Sequence, residues 1–392
     1  MLTKAIIEFV QDHLNDDPAR LLLAAHRYPG VPVQQAVAQI RALHKVRSKI
    51  PDWYRFDLAF PPMLSVEQAS SEQTARFKAG LFSGGRMADL TGGMGVDAYF
   101  FAQHFEQVTY VERRHELVEH ARYNFGILGA GNIQVVNAET EDFLKEHPDT
   151  YDLIYLDPAR RDEQQRRVFR LADCQPNVPE ILDLLFARAP LVLLKTAPLL
   201  DLQSVVEQLS VVTQIWVVAV DNEVKEVLYL LSANACRQDH SEIPITAVNL
   251  GNEQPRTFVF TRAEEQTSIP EYSVPLRYLY EPDAAILKAG AFKSFARRYG
   301  LFKLHPNTHL YTSADFIPDV PGRAFTVETV VRYDRKAVGA VVPGGKANIA
   351  ARNFPDSAEA MRKKLGLGDG GEVYLFGVTD LEGKKVVVGR KI

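Results

Sequence analysis

The chain has 392 residues, 46% of them apolar and 24% charged, with a formal net charge of −4. This is the composition of a soluble globular protein, and the length calls for two or three domains. No run of 18 apolar residues occurs and acidic residues follow the first short apolar stretch, so neither a signal peptide nor a membrane span is expected. Cys174 and Cys236 have neither disulfide nor metal-ligand spacing, which points to a reducing compartment, the cytoplasm by default.

Residues 3–46 repeat apolar side chains at helical spacing (Ile6, Ile7, Val10, Leu14, then Leu21–Ala25, then Val33, Val37, Ile40, Leu43), interrupted at Pro29-Gly30 and Pro32. Residues 51–62, PDWYRFDLAFPP, read as an extended aromatic and proline-rich connector. SEQTARFKAGLF, residues 71–82, reads as a helix running into Gly84-Gly85. Strands and helices then alternate. Strands are expected at 87–90, 107–112, 133–137, 151–157, 191–195 and 214–220, with helices at 95–105, 114–129, 141–147, 179–188 and 199–209 between them. Such alternation predicts a doubly wound, largely parallel sheet. A last strand at 225–232, reached through the turn pair Asp221-Asn222, predicts an antiparallel hairpin at the sheet edge. From about 277 a strand and one long helix carry Lys288, Lys293, Arg297 and Arg298. An α+β pattern follows: strand 325–332, helix 334–342, strand 347–351, helix 356–365, and strands 372–377 and 385–389.

Charge is divided unevenly. Residues 277–392 hold 19 Lys+Arg and 12 Asp+Glu, a net +7, so the rest of the chain nets −11. A basic module on an acidic body suits a polyanion, because bound cations release condensed counterions; a lysine-rich solvated surface is the plainer alternative.

Four motifs carry the chemistry. ADLTGGMGVDA, residues 88–98, ends a strand at Asp89 and turns through Thr91, Gly92, Gly93 and Gly95 into a helix, where bare backbone can approach a ligand. Glu112, 23 residues beyond Asp89, ends the next strand, where a carboxylate can accept both ribose hydroxyls of an adenosine cofactor. The spacing Gly92-Gly93-x-Gly95, with an acid before it, favours S-adenosyl-L-methionine over a dinucleotide. Asn137 and Glu139 follow the third strand, placed either to meet an adenine edge or to cap the next helix. YDLIYLDPARR brings Asp157 and Pro158 to the carboxyl end of the fourth strand, with Arg160 and Arg161 able to hold an anionic group of the acceptor. Lys195, ending LVLLK, reads as a surface residue on the same rim. His104, His115, His120, His305 and His309 form no ligand pattern, and no metal is expected.

In order and spacing, Asp89–Gly95, Glu112, Asn137–Glu139 and Asp157-Pro158 resemble the motifs of class I S-adenosylmethionine-dependent methyltransferases. Thr91 stands where the commonest first motif has glycine, as in some RNA and DNA methyltransferases. Asp-Pro-Ala-Arg resembles the Asp-Pro-Pro-Arg loops of enzymes that methylate nucleobase nitrogens, but lacks the aromatic that would stack on a flipped base; Phe169 is a candidate substitute. Nearly the whole chain is similar to a bacterial group carrying a C-terminal THUMP-like domain. The resemblance implies a helical segment 1–70, a Rossmann-like seven-stranded methyltransferase domain 71–274, a ferredoxin-like segment 275–319 and a THUMP-like domain 320–392. It also implies cofactor contacts from Thr74 and Lys78, and it supports RNA as acceptor, for which Lys293, Arg297, Lys346 and Arg352 of the basic C-terminal module are the candidate ligands. Asp157 would orient the acceptor or take its proton. The rivals are a methyltransferase for a small molecule or protein, and an RNA-binding protein that keeps the cofactor site without catalysis.

Overall fold

The first helices begin where the sequence supplies caps. Thr3 accepts from the Ile6 amide to open α1 (Lys4–Asp12), and Asp17 accepts from the Ala19 amide to open α2 (Pro18–Leu23). In α3 (Val33–Lys49) the buried stripe Val33, Ala36, Val37, Ile40, Leu43, Val46 confirms the helical period. In this computed structural model, residues 2–160, 170–235, 239–251 and 254–392 are described. The connector 51–62 is less extended than its prolines suggest, since Pro51–Trp53 forms a 3-10 turn. It is held by two side-chain amides that each pair with a backbone amide: Gln39 with Phe60 and Asn124 with Ala59, every bond 2.9 Å. Next come α4 (Met63–Gln68) and α5 (Glu72–Ala79), the latter capped by Ser71.

The chain divides into two compact units, one of residues 1–214 and 226–237, the other of 215–225 and 238–392. The first unit alternates β1 (Gly84–Asp89), α6 (Val96–Phe101), β2 (Phe105–Glu112), α7 (His115–Leu128), β3 (Ile133–Asn137), α8 (Thr140–Glu146) and β4 (Leu153–Leu156). A short antiparallel pair follows, β5 (Ala159–Arg160) with β6 (Cys174–Gln175). Then come α9 (Val178–Phe186), β7 (Leu191–Thr196), α10 (Leu202–Leu209) and the hairpin of β8 (Val212–Val220) and β9 (Glu223–Ser232), of which residues 215–225 belong to the second unit. Strands β3, β2, β1, β4 and β7 lie side by side and parallel, and β9 runs antiparallel to β7. The carboxyl ends of the parallel strands therefore share one rim, where β1, β2 and β4 deliver the predicted motifs. Asp221 and Asn222 both have positive φ (49° and 64°), as a two-residue hairpin turn requires.

In the second unit β10 (Ile245–Leu250) runs parallel to β8, and β11 (Arg256–Phe260) pairs antiparallel with β10. The segments AVNL and RTFVFT thus add two strands beside β8, which is therefore not an edge strand. After α11 (Arg262–Thr267) comes β12 (Tyr278–Pro282). The single long helix expected next is two helices, α12 (Ala284–Ala289) and α13 (Lys293–Tyr299). Gly290 adopts φ 84° and closes α12 with amide bonds back to Ile286 and Leu287. The Glu265 carboxylate accepts from the Phe292, Lys293 and Ser294 amides and starts α13 afresh. The remaining elements are β13 (Phe302–His305), β14 (Thr308–Ser313), β15 (Gly322–Val331), α14 (Arg335–Val341), β16 (Lys346–Arg352), α15 (Ala358–Leu365), β17 (Gly368–Asp380) and β18 (Gly383–Lys391). Seven strands form one sheet in the order β13-β14-β12-β15-β18-β17-β16. Its two faces follow strand alternation: Val386 and Val388 pack with Met361 and Leu365, whereas Val387 packs with Leu279 and Phe325. Among the described residues, no helix is long and apolar enough to cross a membrane.

Candidate active site

The glycine loop is shaped by what lies beneath it. A Cβ on Gly92 would overlap the Tyr110 ring, and Gly95 has φ 90° with Phe125 where its Cβ would be, so neither position admits another residue without displacement. The Tyr110 hydroxyl donates to the Gly93 carbonyl at 2.6 Å, and the Gly93 amide donates to Glu112 Oε2 at 2.9 Å. Glu112 Oε1 accepts from the Arg114 amide at 2.8 Å. Oε1 also accepts from Arg114 Nε at 3.3 Å, so the buried carboxylate is locked at the β2 end and its free acceptor capacity lies on Oε2.

Thr91 explains its own place in the motif. Its hydroxyl accepts from the Asp157 amide at 2.7 Å, tying the glycine loop to the end of β4. Asp89 accepts from the Thr91 amide at 3.0 Å and is buried. Its carboxyl is pushed well above the usual carboxylate range, first by burial, then by the nearby carboxylate of Asp97, with those of Asp157 and Glu112 adding to it.

The remaining predicted contacts fall differently. Asn137 donates to the Glu112 and Arg113 carbonyls at 2.7 and 3.0 Å, so it fastens β3 to the end of β2. Glu139 occupies the cap position of α8 without a side-chain cap bond and is exposed, 3.9 Å from Arg113. Neither side chain caps the helix. Thr74 is buried within the first turn of α5 and bonds Ser71. Pro158 follows Asp157 at the rim. Arg160 lies in β5, paired in register with Cys174. Arg161 and Phe169 lie outside the described residues.

Lys78 and Lys195 form the part of the site that sequence reasoning misplaced or missed. Lys78, fully buried, is 2.9 Å from both carboxylate oxygens of Glu226, 3.2 Å from Asp97 Oδ1 and 3.1 Å from Ser70 Oγ. Asp97 Oδ2 also accepts from Ser70 and Tyr155 at 2.8 and 2.9 Å. Lys195 has a side chain only 13% exposed, and its ammonium lies 2.5 Å from Asp157 Oδ2. Burial works against the Lys195 charge, but the carboxylates of Asp157, Glu226 and Asp97 outweigh it and raise its pKa. Burial likewise works against the Asp97 carboxylate, yet Lys78 and then Lys195 hold its pKa down. A small cavity of about 30 Å³ opens beside this pair, lined by Pro158, Leu171, Cys174, Thr196, Leu199 and Leu200.

Five carboxyl groups (Asp89, Asp97, Glu112, Asp157, Glu226) thus gather at this rim with two buried ammonium groups. Such a site attracts a cation and repels a pyrophosphate. A glycine turn, an acid at the second strand end and an Asp-Pro at the fourth, the features by which the sequence resembles class I S-adenosylmethionine-dependent methyltransferases, thus share one rim.

Comparison with known proteins places the chain more narrowly. A solved structure described as a "putative methyltransferase from Porphyromonas gingivalis W83" is 35% identical, covers 99% of this chain and 97% of its own, and superposes with a TM-score of 0.89. Residues 278–321 match a ferredoxin-like domain model, and residues 322–391 match a THUMP domain-like model. Two relatives from Mycobacterium tuberculosis strains, each named an uncharacterized S-adenosylmethionine-dependent methyltransferase, are 26% identical over 310 residues, 77% of this chain and 80% of theirs. The chain belongs to the bacterial class I S-adenosylmethionine-dependent methyltransferases that carry C-terminal ferredoxin-like and THUMP-like domains.

Proposed function

We propose that this protein transfers a methyl group from S-adenosylmethionine to a nucleobase nitrogen or oxygen of RNA. The observation that carries the transfer chemistry is the Thr91–Asp157 bond, which couples the glycine loop at the cofactor to the carboxylate at the acceptor. In this reading Glu112 accepts the ribose hydroxyls, and the backbone at Gly93 and Gly95 closes on the cofactor. A sulfonium bound beside Asp89 favours the ionised carboxylate, which burial and the neighbouring carboxylates otherwise oppose. When bound, the cofactor supplies an electrophilic methyl carbon. Asp157 receives a hydrogen of the acceptor and aims its lone pair at that carbon, so alignment provides most of the rate. Thr74 and Lys78 act from beneath: Lys78 holds Glu226 and Asp97, and with them the first turn of α6.

RNA is supported by the THUMP-like match and by the net +7 of residues 277–392. Ion pairs within residues 277–392 favour some of these cations over others as phosphate ligands. Arg352 and Arg323 both pair with Glu281, Arg362 with Asp369, and Arg390 with Glu328 and Glu372. Lys293, Arg297 and Lys346 are exposed and make no ion pair among the described residues, so they are the stronger phosphate ligands; Arg352 is the weaker. The domain limits 71–274, 275–319 and 320–392 and a cytoplasmic location belong to the same reading. The test has two parts. Calorimetry with adenosylmethionine and with NAD should give a dissociation constant on the order of micromolar for the first and no binding for the second. Tritiated methyl should enter RNA from a strain lacking the gene; preferential binding of NAD, or label in protein or small molecules alone, contradicts the reading.

A further inference from the structure

The end of β7 places an ammonium where the proposed reaction needs a fixed carboxylate. Asp157 is held from two directions: its amide by Thr91 at 2.7 Å, and Oδ2 by Lys195 at 2.5 Å. The Asp157 side chain is 35% exposed, so it faces solvent and acceptor while Lys195 stays behind it. Lys195 is itself held from within. Its ammonium is 3.5 Å from Ser70 Oγ, which donates to Asp97, and Asp97 is paired with the buried Lys78–Glu226 couple. The cluster draws on α5, the first turn of α6, β7, β9 and the exit of β4. Two ammonium groups against three carboxylates leave neither lysine an alternative that would be less costly than its present partners.

We propose that Lys195 is the positioning residue of the acceptor site: it engages Oδ2 of Asp157, so that Oδ1 receives the acceptor's hydrogen in one fixed direction. This inference rests on the methyl-transfer reading and deepens it. It favours acceptors whose nucleophilic atom bears a hydrogen, such as the exocyclic amine of a base, over a ring nitrogen without one. In the step, the acceptor atom gives its lone pair to the methyl carbon and the carbon–sulfur bond breaks with its pair left on sulfur. The proton released from the methylated acceptor passes to water at the exposed face of Asp157.

The test compares Lys195→Met and Lys195→Arg in the full chain. Tritiated adenosylmethionine is supplied with an extract of a strain lacking the gene, which is separated afterwards into RNA, protein and small molecules. Lys195→Met should lower the maximal rate about a hundredfold, the scale of a misaligned acceptor. The half-saturating amount of extract and the calorimetric affinity for adenosylmethionine should stay within about threefold of wild type, because the loss is confined to the transition state. Lys195→Arg, which keeps the cation, should recover at least about a tenth of the wild-type rate. A second readout needs no acceptor. In 15N-lysine-labelled protein the Lys195 ammonium, assigned by its absence from Lys195→Arg, should give a protected signal that Asp157→Asn abolishes. An unchanged maximal rate in Lys195→Met, an Arg variant as slow as Met, or a signal indifferent to Asp157→Asn would each overturn the proposal. Label appearing in protein or small molecules instead of RNA would refute the RNA reading and leave the Lys195 comparison valid. Label in no fraction would overturn both.

Discussion

Two buried lysines, one in each unit, show how differently the two halves of this protein use positive charge. Lys195 sits among Asp157, Glu226 and Asp97, which raise its pKa despite burial. Lys303, on β13, is 1% exposed and has no carboxylate in contact among the described residues; its ammonium faces His309 Nδ1 at 3.2 Å and the rings of Phe292 and Tyr311. Burial lowers its pKa to about 8, and burial with the neighbouring Lys303 charge lowers His309 to about 4. The same residue type is a permanent cation at one site and a group that titrates under mildly alkaline conditions at the other, and the difference is its carboxylate neighbours. The strand-end rim of the first unit keeps its charge buried and paired. Around the C-terminal sheet Arg323, Arg352, Arg362 and Arg390 are paired with carboxylates too, but their own side chains lie nearer the surface.

Four variants test this contrast. Asp157→Ala should have the largest effect, lowering turnover by about a hundredfold or more, the scale of a lost acceptor alignment, while the fold and most cofactor affinity persist. Full methyl transfer by that variant would make Asp157 structural. Glu112→Ala should weaken adenosylmethionine binding by about 1.5–3 kcal/mol, the range for hydrogen bonds to a charged group, as read by calorimetry. It would also release the Gly93 amide, so a rise in affinity is not expected. Neutralising Lys293 and Arg297 together should weaken RNA binding and reduce the slope of its logarithm against log salt by about one for each phosphate that is no longer neutralised. Cofactor affinity should not change. If the slope is unaffected but Lys346 variants reduce it, the RNA surface moves to the THUMP-like part of the sheet.

The smallest effect concerns Lys303. Its folded pKa, about 8, lies below the ordinary 10.5, so above pH 8 the unfolded chain binds more protons than the folded one. Stability contributed by this residue therefore rises between about pH 8 and 10.5 and is flat below pH 8. Lys303→Met should remove that rise from the pH dependence of the melting temperature. A wild-type profile that falls over the same window relative to Lys303→Met would reverse the assignment.

Much of this was legible in the sequence where the signal was local. Strand ends, glycine turns and caps are set by a few neighbouring residues, so Asp89, Gly92, Gly93, Gly95, Glu112 and Asp157 all lie on one rim as their spacing implied. Thr91 is a local signal with a distant purpose, since its partner Asp157 is 66 residues away. What sequence spacing could not give was the charge cluster. Lys78 meets Glu226 across 148 residues, and nothing in SEQTARFKAGLF distinguishes a buried lysine from a solvated one. Lys195 carried a hint, since a charge that ends a fully apolar strand at the active rim needs a partner. The long basic helix failed for a local reason that was available: Gly290 can take the left-handed conformation that closes a helix, and helical spacing alone does not register it. Lys288 is therefore separated from the helix that carries Lys293 and Arg297. Arg298 is engaged with Glu264 and stacked on Phe258, which removes it from the candidate RNA surface.

Methyl transfer to RNA through Asp157 is open to a direct measurement: quantitative mass spectrometry of nucleosides from total RNA of a strain lacking the gene. One methylated nucleoside should fall in that strain, return when the wild-type chain is supplied, and stay low with Asp157→Ala. Nucleoside profiles that are identical in all three strains would contradict RNA methylation by this protein.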